Sequence, residues 1–483
     1  MSIPVTVAYG DGIGPEIMEA VLLILSEAKS GLVIETIELG HNLYKKEWSC
    51  GIAPSSWDSI HRTKVLLKSP TMTPQGQGHK SLNVTLRKKL GLYANIRPCI
   101  SYHPVIKTKY PNLNVVIIRE NEEDTYTGIE HRLTSDTYQC LKVITRSGSE
   151  RICNYAFQYA MTHNRKKVTC LVKDNIMKMT DGIFHKSFSK IAEGYPSIIS
   201  DHYIVDIGMA RVATNPENFD VIVTTNLYGD IISDIVAELS GSIGLAGSAN
   251  IGDNYAMFEA VHGSAPDIAG KNIANPSGLL SAAIQMLVYL KKFNEAELIH
   301  NAFLKTLEDG IHTADIYQDN ISKEKVSTMD FAKAVVENFG QSPCHIQKPV
   351  LSIMNSTSGT TSVPYVYQPS YTDKILVGVD VTIGCDVIDL NLNQLIVDLR
   401  NIKHDQLELV LVHSKGLEIW PDESSTVNLS YVDQICCRFY IKCKSEITND
   451  HVNQLLLELD KKKINVVKME KLYLYDDQPG FFT

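Results

Sequence analysis

The chain has 483 residues, too many for one ordinary domain. Its composition, 44% hydrophobic and 21% charged, is that of a globular protein able to bury a large core unaided. A formal net charge of -9, with no Lys/Arg-dense block, argues against nucleic-acid binding, and the apolar runs are too short for a membrane span. Ten scattered cysteines without a CxxC spacing fit reduced thiols and a cytoplasmic location, not a disulfide framework.

The first predicted strand is Ile3–Ala8, which leaves no room for a leader peptide ahead of it. Gly10-Asp-Gly-Ile-Gly14 follows. It has GxGxG spacing, not the GxGxxG of a Rossmann turn, and Pro15 suits the first turn of a helix. Apolar runs at Val65–Leu67, Val115–Ile118, Val168–Val172 and Val221–Thr225 read as strands. Residues 151–163 and 277–292 read as helices. The alternation predicts an α/β fold.

Arg87, Arg97 and Arg119 sit after or within these apolar patterns. Arg119 falls at a strand end, where α/β folds bind ligands. Three guanidinium forks suit a di- or tricarboxylate, although each alone reads equally as an ordinary ion-paired arginine. In Thr224–Glu238 a strand ends, a Gly turn follows and a helix is expected to start around Asp230. Asp230 and Asp234, four apart, then share a helix face and offer hard oxygens to Mg²⁺ or Mn²⁺. On spacing alone, complementing the helix dipole is the stronger reading. Asp206, after Tyr203–Val205, is uninformative by itself.

Residues 345–371 are polar and Pro-punctuated, with Lys348 as their one Lys, Arg, Asp or Glu, and read as a linker. Beyond them, residues 372–483 read as strand, helix, two or three strands, helix, strand: a small α+β domain. The stripe Val452, Leu455, Leu456, Leu459 marks its last helix, opened by Asn449 or Asp450. Cys436-Cys437 lies in a predicted strand, so its members face opposite sides and serve packing.

Five stretches in order, Gly10–Ile17, Arg119–Tyr126, Lys173–Lys178, Asn226–Asp234 and His262–Gly270, resemble the β-decarboxylating dehydrogenases, the family of isocitrate and 3-isopropylmalate dehydrogenases, across roughly residues 3–340. Within it, the chain is most similar to the bacterial type with an extra C-terminal domain. The resemblance implies a two-lobed α/β fold, not Rossmann, spanning 1–344, with a discontinuous large lobe and a small lobe from about 96–250. It implies a homodimer with shared active sites. Asp230 and Asp234 then bind the metal from one subunit, while Asp206 and Lys173 arrive from the other.

Roles follow from the same resemblance. Isocitrate is implied as the substrate, with Ser81 and Asn83 on its third carboxylate and Arg87, Arg97 and Arg119 on the others. An isopropyl group would leave Ser81 and Asn83 unpaired, at ~1–3 kcal/mol each if buried. Homoisocitrate, isopropylmalate and tartrate are alternatives, as is a non-catalytic regulatory subunit. Lys173 is implied to take the hydroxyl proton as hydride leaves, and Tyr126 to protonate carbon after decarboxylation. Thr73, Asn175, Glu259, His262, Gly263, Asp267, Ile268 and Asn275 are the implied cofactor contacts. Asp267-Ile268 stands where NADP-using relatives place Lys-Tyr. A carboxylate there would repel a 2′-phosphate, so NAD is expected over NADP, unless Lys323 or Lys325 supplies the missing cation. The C-terminal domain is expected to bury surface between subunits or to carry regulation.

Overall fold

The structure, a computed structural model, describes residues 2–44, 51–73, 81–346, 365–369, 371–385, 392–421, 433–442 and 447–482. The chain forms two compact units, residues 1–127 with 142–365, and residues 128–141 with 366–483. Most of the expected linker, 345–371, lies outside the described residues.

The first unit is built on a ten-stranded mixed sheet. From one edge the strands are Leu32–Ile37, Ile3–Ala8, Val65–Lys68, Ala256–Ala260, Gly247–Ile251, Ala94–Ile100, Asn114–Glu120, Val221–Thr224, Lys167–Val172 and Ile199–Ile204. The outer strands on each side run parallel. Gly247–Ile251 and Ala94–Ile100 pair antiparallel with their neighbours and join the two parallel blocks. Val65–Lys68 and Val221–Thr224 are buried throughout, as expected of strands covered on both faces. This is why they read as unbroken apolar runs.

Helices cover the sheet. Gly14–Glu27 buries Ile17, Met18, Val21, Ile24 and Leu25, one stripe at helical spacing. Ser277–Tyr289 and Phe293–Glu308 pack beside it in the same core. The first helix starts within the glycine stretch. Gly12 has φ +62, and a Cβ on it would lie 2.0 Å from the Ser264 carbonyl oxygen. Ile13 donates its backbone N–H to that oxygen at 2.9 Å. These glycines therefore let two backbones touch, bringing the front loop against the His262–Gly270 segment.

In the second unit a six-stranded sheet includes Lys374–Gly384, Leu407–Ser414, Gln434–Ile441 and Val466–Tyr475. Helix Asn449–Lys461 buries Val452, Leu455 and Leu459 and is opened by Thr448 in a capping box with His451. Cys437 is buried and Cys436 is half-buried, as alternation along a strand requires. A hairpin of Glu130–Arg132 and Tyr138–Cys140 belongs to this unit. The Thr137 hydroxyl donates to Asp433 at 2.7 Å, and Thr134 binds the same carboxylate. Among the described residues, no helix is long and apolar enough to cross a membrane.

Candidate active site

Several strands end at one cavity of about 330 Å³ in the first unit. Thr73, Ser81, Asn83, Arg87, Arg97, Arg119, Tyr126, Asp230, Glu259, His262 and Gly263 all line it. Residues spread over nearly two hundred positions of the chain thus meet in one place. The remaining expected residues lie elsewhere. Asp234 borders the cavity through Arg97, which reaches it at 3.3 Å. Lys173, Asn175, Asp206, Asp267, Ile268 and Asn275 are not among the lining residues.

Arg119 is almost wholly buried at the end of Asn114–Glu120. Its Nε donates to the Asn226 carbonyl at 3.0 Å, its Nη2 to Asn226 Oδ1 at 2.8 Å, and its Nη1 pairs with Asp230. Burial first, then the Arg97 and Arg87 charges, push Arg119 down to about 9, so it remains a cation at neutral pH. Arg97 bridges the two aspartates, donating to Asp230 and Asp234 at 3.3 Å each, while Asn95 and Ser233 accept further hydrogen bonds from it. Arg87 gives Nη2 to Glu259 at 3.0 Å and has a buried Nε with no hydrogen-bond partner, a donor suited to a ligand carboxylate.

The helix carrying the aspartates is Asn226–Leu239, entered from Thr225. It begins four residues before the expected start, so Gly229 lies inside the helix and not in a turn. Glycine stands there because of Arg119: a Cβ at Gly229 would lie 2.5 Å from Arg119 Cγ. Asp230 is consequently the fifth helical residue and Asp234 the ninth, both past the first turn where the helix dipole acts. The dipole reading of these carboxylates is set aside.

Tyr126 donates its hydroxyl to Asp230 Oδ2 at 2.7 Å, and the Arg119 guanidinium lies 5.0 Å from its ring centre. Burial raises the Tyr126 pKa, keeping the phenol protonated. Burial also pushes Asp230 upward, but Arg119, Arg97 and the Tyr126 hydrogen bond outweigh it and hold the group below its ordinary value. Asp234 is raised, by burial and by the neighbouring Asp230 charge against only partial relief from Arg97. Four apart on one helix, the two carboxylates offer hard oxygens at the cavity edge, and the Asp230–Asp234 pair fits a divalent cation such as Mg²⁺ or Mn²⁺.

Glu259 plays a part that sequence reading missed. It is 4% exposed and binds Lys68 at 2.8 Å, Arg87 at 3.0 Å and Asn250 at 2.9 Å. Burial disfavours its charge, but Lys68 and Arg87 dominate and hold it far below the usual carboxylate range. Glu259 therefore fixes Arg87 at the cavity wall. Lys68 gave no signal because its strand reads simply as an apolar run.

Ser81 stands just before helix Leu82–Lys89 but does not cap it with its side chain. Thr73 donates to its hydroxyl at 3.4 Å, and Thr71 donates to Asn83 Oδ1 at 2.9 Å. His262 keeps a shielded Nε2 without a hydrogen-bond partner, and desolvation lowers its pKa, favouring the neutral ring. Asn275 accepts the Ser277 backbone N–H at 2.9 Å and donates to Asp315 at 3.0 Å. It anchors the helix behind the His262 segment.

Away from the cavity, Lys173 follows Lys167–Val172 and reaches Asp206 Oδ1 at 2.7 Å. The Lys173 hydrogen bond is the main reason the exposed Asp206 carboxyl is held below its ordinary value. Asn175 is exposed beyond it.

Residues 4–335 match the isocitrate/isopropylmalate dehydrogenase family, and residues 374–483 match the bacterial isocitrate dehydrogenase C-terminal domain. The chain belongs to the isocitrate/isopropylmalate dehydrogenase family. A relative from Rickettsia bellii, named isocitrate dehydrogenase [NADP], is 53% identical over 99% of this chain and 98% of its own. One from Thermus thermophilus, also named isocitrate dehydrogenase [NADP], is 38% identical over 99% and 94%. A solved structure of a protein from Thermus thermophilus superposes with a TM-score of 0.90 at 37% identity, covering 99% of this chain and 95% of that one.

These family members correct the expectation of NAD. Both full-length relatives are named for NADP, although the expectation rested on Asp267 repelling the 2′-phosphate. Asp267 proves to be exposed at the surface, in the turn 266–270, where water screens its charge.

Proposed function

We propose that this chain oxidises isocitrate and releases carbon dioxide while passing a hydride to NADP, and that a divalent ion held by Asp230 and Asp234 assists. The observation that carries the reading is the convergence of Arg87, Arg97 and Arg119 on a cavity that also exposes Ser81, Asn83 and Asp230. Glu259 offsets Lys68, and a divalent ion would offset Asp230 and Asp234. The three guanidiniums are then left to face three substrate carboxylates. The start of helix Leu82–Lys89 adds a favourable end for an anion.

The bound ion would act as a Lewis acid on the substrate's oxygens, and the nicotinamide would take the hydride. The chain supplies orientation and protons. Arg87, Arg97 and Arg119 fix the carboxylates, and Ser81 and Asn83 select a polar third arm over an apolar one. Tyr126, protonated and held against Asp230, is poised to give its proton to the carbon that loses its carboxylate. Lys173 would accept the proton of the substrate hydroxyl.

Lys173 and Asp206 lie outside this chain's cavity, so we assign them to the cavity of a second copy in a homodimer. Ile176 at 68%, Met179 at 48% and Ile207 at 46% exposure flank these two residues. Apolar side chains left in water beside a catalytic pair gain a physical reason when a partner covers them. NADP is favoured by the names of the full-length relatives and by the screened position of Asp267.

The test is steady-state kinetics of the purified chain with Mg²⁺. Isocitrate, homoisocitrate, isopropylmalate and tartrate are compared, each with NADP and with NAD. The reading requires isocitrate with NADP to give the highest kcat/KM and a chelator to abolish it. A higher value for another acid, or chelator-resistant turnover, overturns it.

A further inference from the structure

A second group of metal-binding side chains lies apart from the cavity. Asp174 follows Lys173, His185 is on helix Thr180–Ala192, and His202 is on strand Ile199–Ile204. One ligand atom from each comes within 4.8 Å of the other two. His185 Nδ1 is 2.7 Å from Asp174 Oδ2, and His202 Nε2 is 3.6 Å from Asp174 Oδ1. The two imidazoles stack with centres 3.7 Å apart. The strand carrying His202 is fixed by the sheet, in which Cys170 pairs with His202 and Val172 with Ile204.

Two observations separate this group from an ordinary hydrogen-bonded cluster. His202 Nε2 is shielded from water and has no hydrogen-bond partner, its neighbouring Asp174 carboxylate being 3.6 Å away, too distant to bond it. The donors are also of mixed type. Two imidazoles with one carboxylate suit Zn²⁺ and its borderline neighbours, whereas Mg²⁺ takes oxygen ligands, as the Asp230–Asp234 pair offers. Zinc bonds of ~2.0–2.1 Å place tetrahedral donors roughly 3.4 Å apart, so the three donors, within 4.8 Å of one another, would draw together around an ion.

We propose that Asp174, His185 and His202 form a second metal site, selective for zinc-type divalent ions, with a coordination position left for water. An ion there would tie the turn after Val172 to strand Ile199–Ile204. Those two elements carry Lys173 and lead into Asp206. Zinc would therefore brace the pair that we assign to the second copy's cavity.

The test uses the full chain, stripped with a chelator and then held in excess Mg²⁺ so that the carboxylate cavity is competed. Zn²⁺ retained after gel filtration is counted by elemental analysis. Co²⁺ is titrated by its visible absorption. His185→Gln, His202→Gln and Asp230→Asn are compared with the parent, with thermal melting as a check on folding. The proposal expects one retained zinc per chain. Affinity should fall at least ~10-fold in each histidine variant and stay unchanged in Asp230→Asn, and zinc should raise the parent's Tm but not theirs. No retained zinc in the parent, or equal retention in both histidine variants, overturns it. So does loss confined to Asp230→Asn. None of these results bears on whether isocitrate is the substrate.

Discussion

Gly229 leaves the space that Arg119 fills: a methyl group at position 229 would lie 2.5 Å from Arg119 Cγ. Glycine inside a helix costs roughly 0.5–1 kcal/mol relative to alanine, so helix propensity alone would favour replacement. Overpacking works the other way, at ~1–3 kcal/mol. Gly229→Ala should therefore lower Tm and raise KM for isocitrate by displacing the guanidinium. Calorimetry and initial rates check both. A stabilised variant with normal KM would mean that Arg119 has another place to go.

Removing the Glu259 charge should be costly. Glu259→Gln leaves Lys68 buried with no counter-charge, and breaking a buried pair in this way costs ~3–5 kcal/mol. The pH dependence has a definite sign. The folded pKa of Glu259 lies below that of the unfolded chain, near ~4.3, so its contribution is fully present above that value. It is lost as pH falls further toward the folded pKa. Urea denaturation between pH 3 and 7 should show the parent losing stability in that acid range more steeply than Glu259→Gln.

Tyr126→Phe should keep isocitrate bound and lose the proton donor. We expect kcat to fall by ~10²–10⁴-fold with KM changed far less, since the three arginines are untouched. Initial-rate kinetics decide it. A large rise in KM with kcat preserved would make Tyr126 a binding group and not an acid.

Asp433 holds the hairpin 128–141 to its unit through the hydroxyls of Thr134 and Thr137. Hydrogen bonds to a charged group are worth about 1.5–3 kcal/mol. In Asp433→Ala, hydrogen exchange should speed up across Glu130–Cys140 while the cavity residues keep their protection. Unchanged exchange in the hairpin would show that its backbone pairing suffices.

What could be read from sequence, and what could not, follows from range. Arg119, Tyr126, Asp230 and Asp234 announce themselves because they sit in short contiguous motifs beside unbroken apolar strands. The C-terminal stripe of Val452, Leu455 and Leu459 is a local period and was equally legible. Gly229 was read as a turn because glycine normally ends a helix, and its true neighbour is a side chain over a hundred positions away. The Lys68–Glu259 pair is invisible for the same reason. The hairpin 128–141 has an exposed first strand, Glu130–Arg132, whose charged residues offer no alternation to mark it. Asp267 misled because a one-letter code carries the sign of a charge and not its exposure to water.

Each active site is proposed to be shared, with Tyr126 from one chain and Lys173 from the other. The most direct measurement is complementation. Tyr126→Phe and Lys173→Met chains, each nearly inactive alone, are coexpressed, and the mixed dimer is purified by two different tags. If the site is shared, the mixed dimer contains one cavity with both native residues and should recover isocitrate-dependent NADP reduction at about half the parent rate. If the mixed dimer stays as inactive as its parents, Tyr126 and Lys173 act within one chain and the account is wrong.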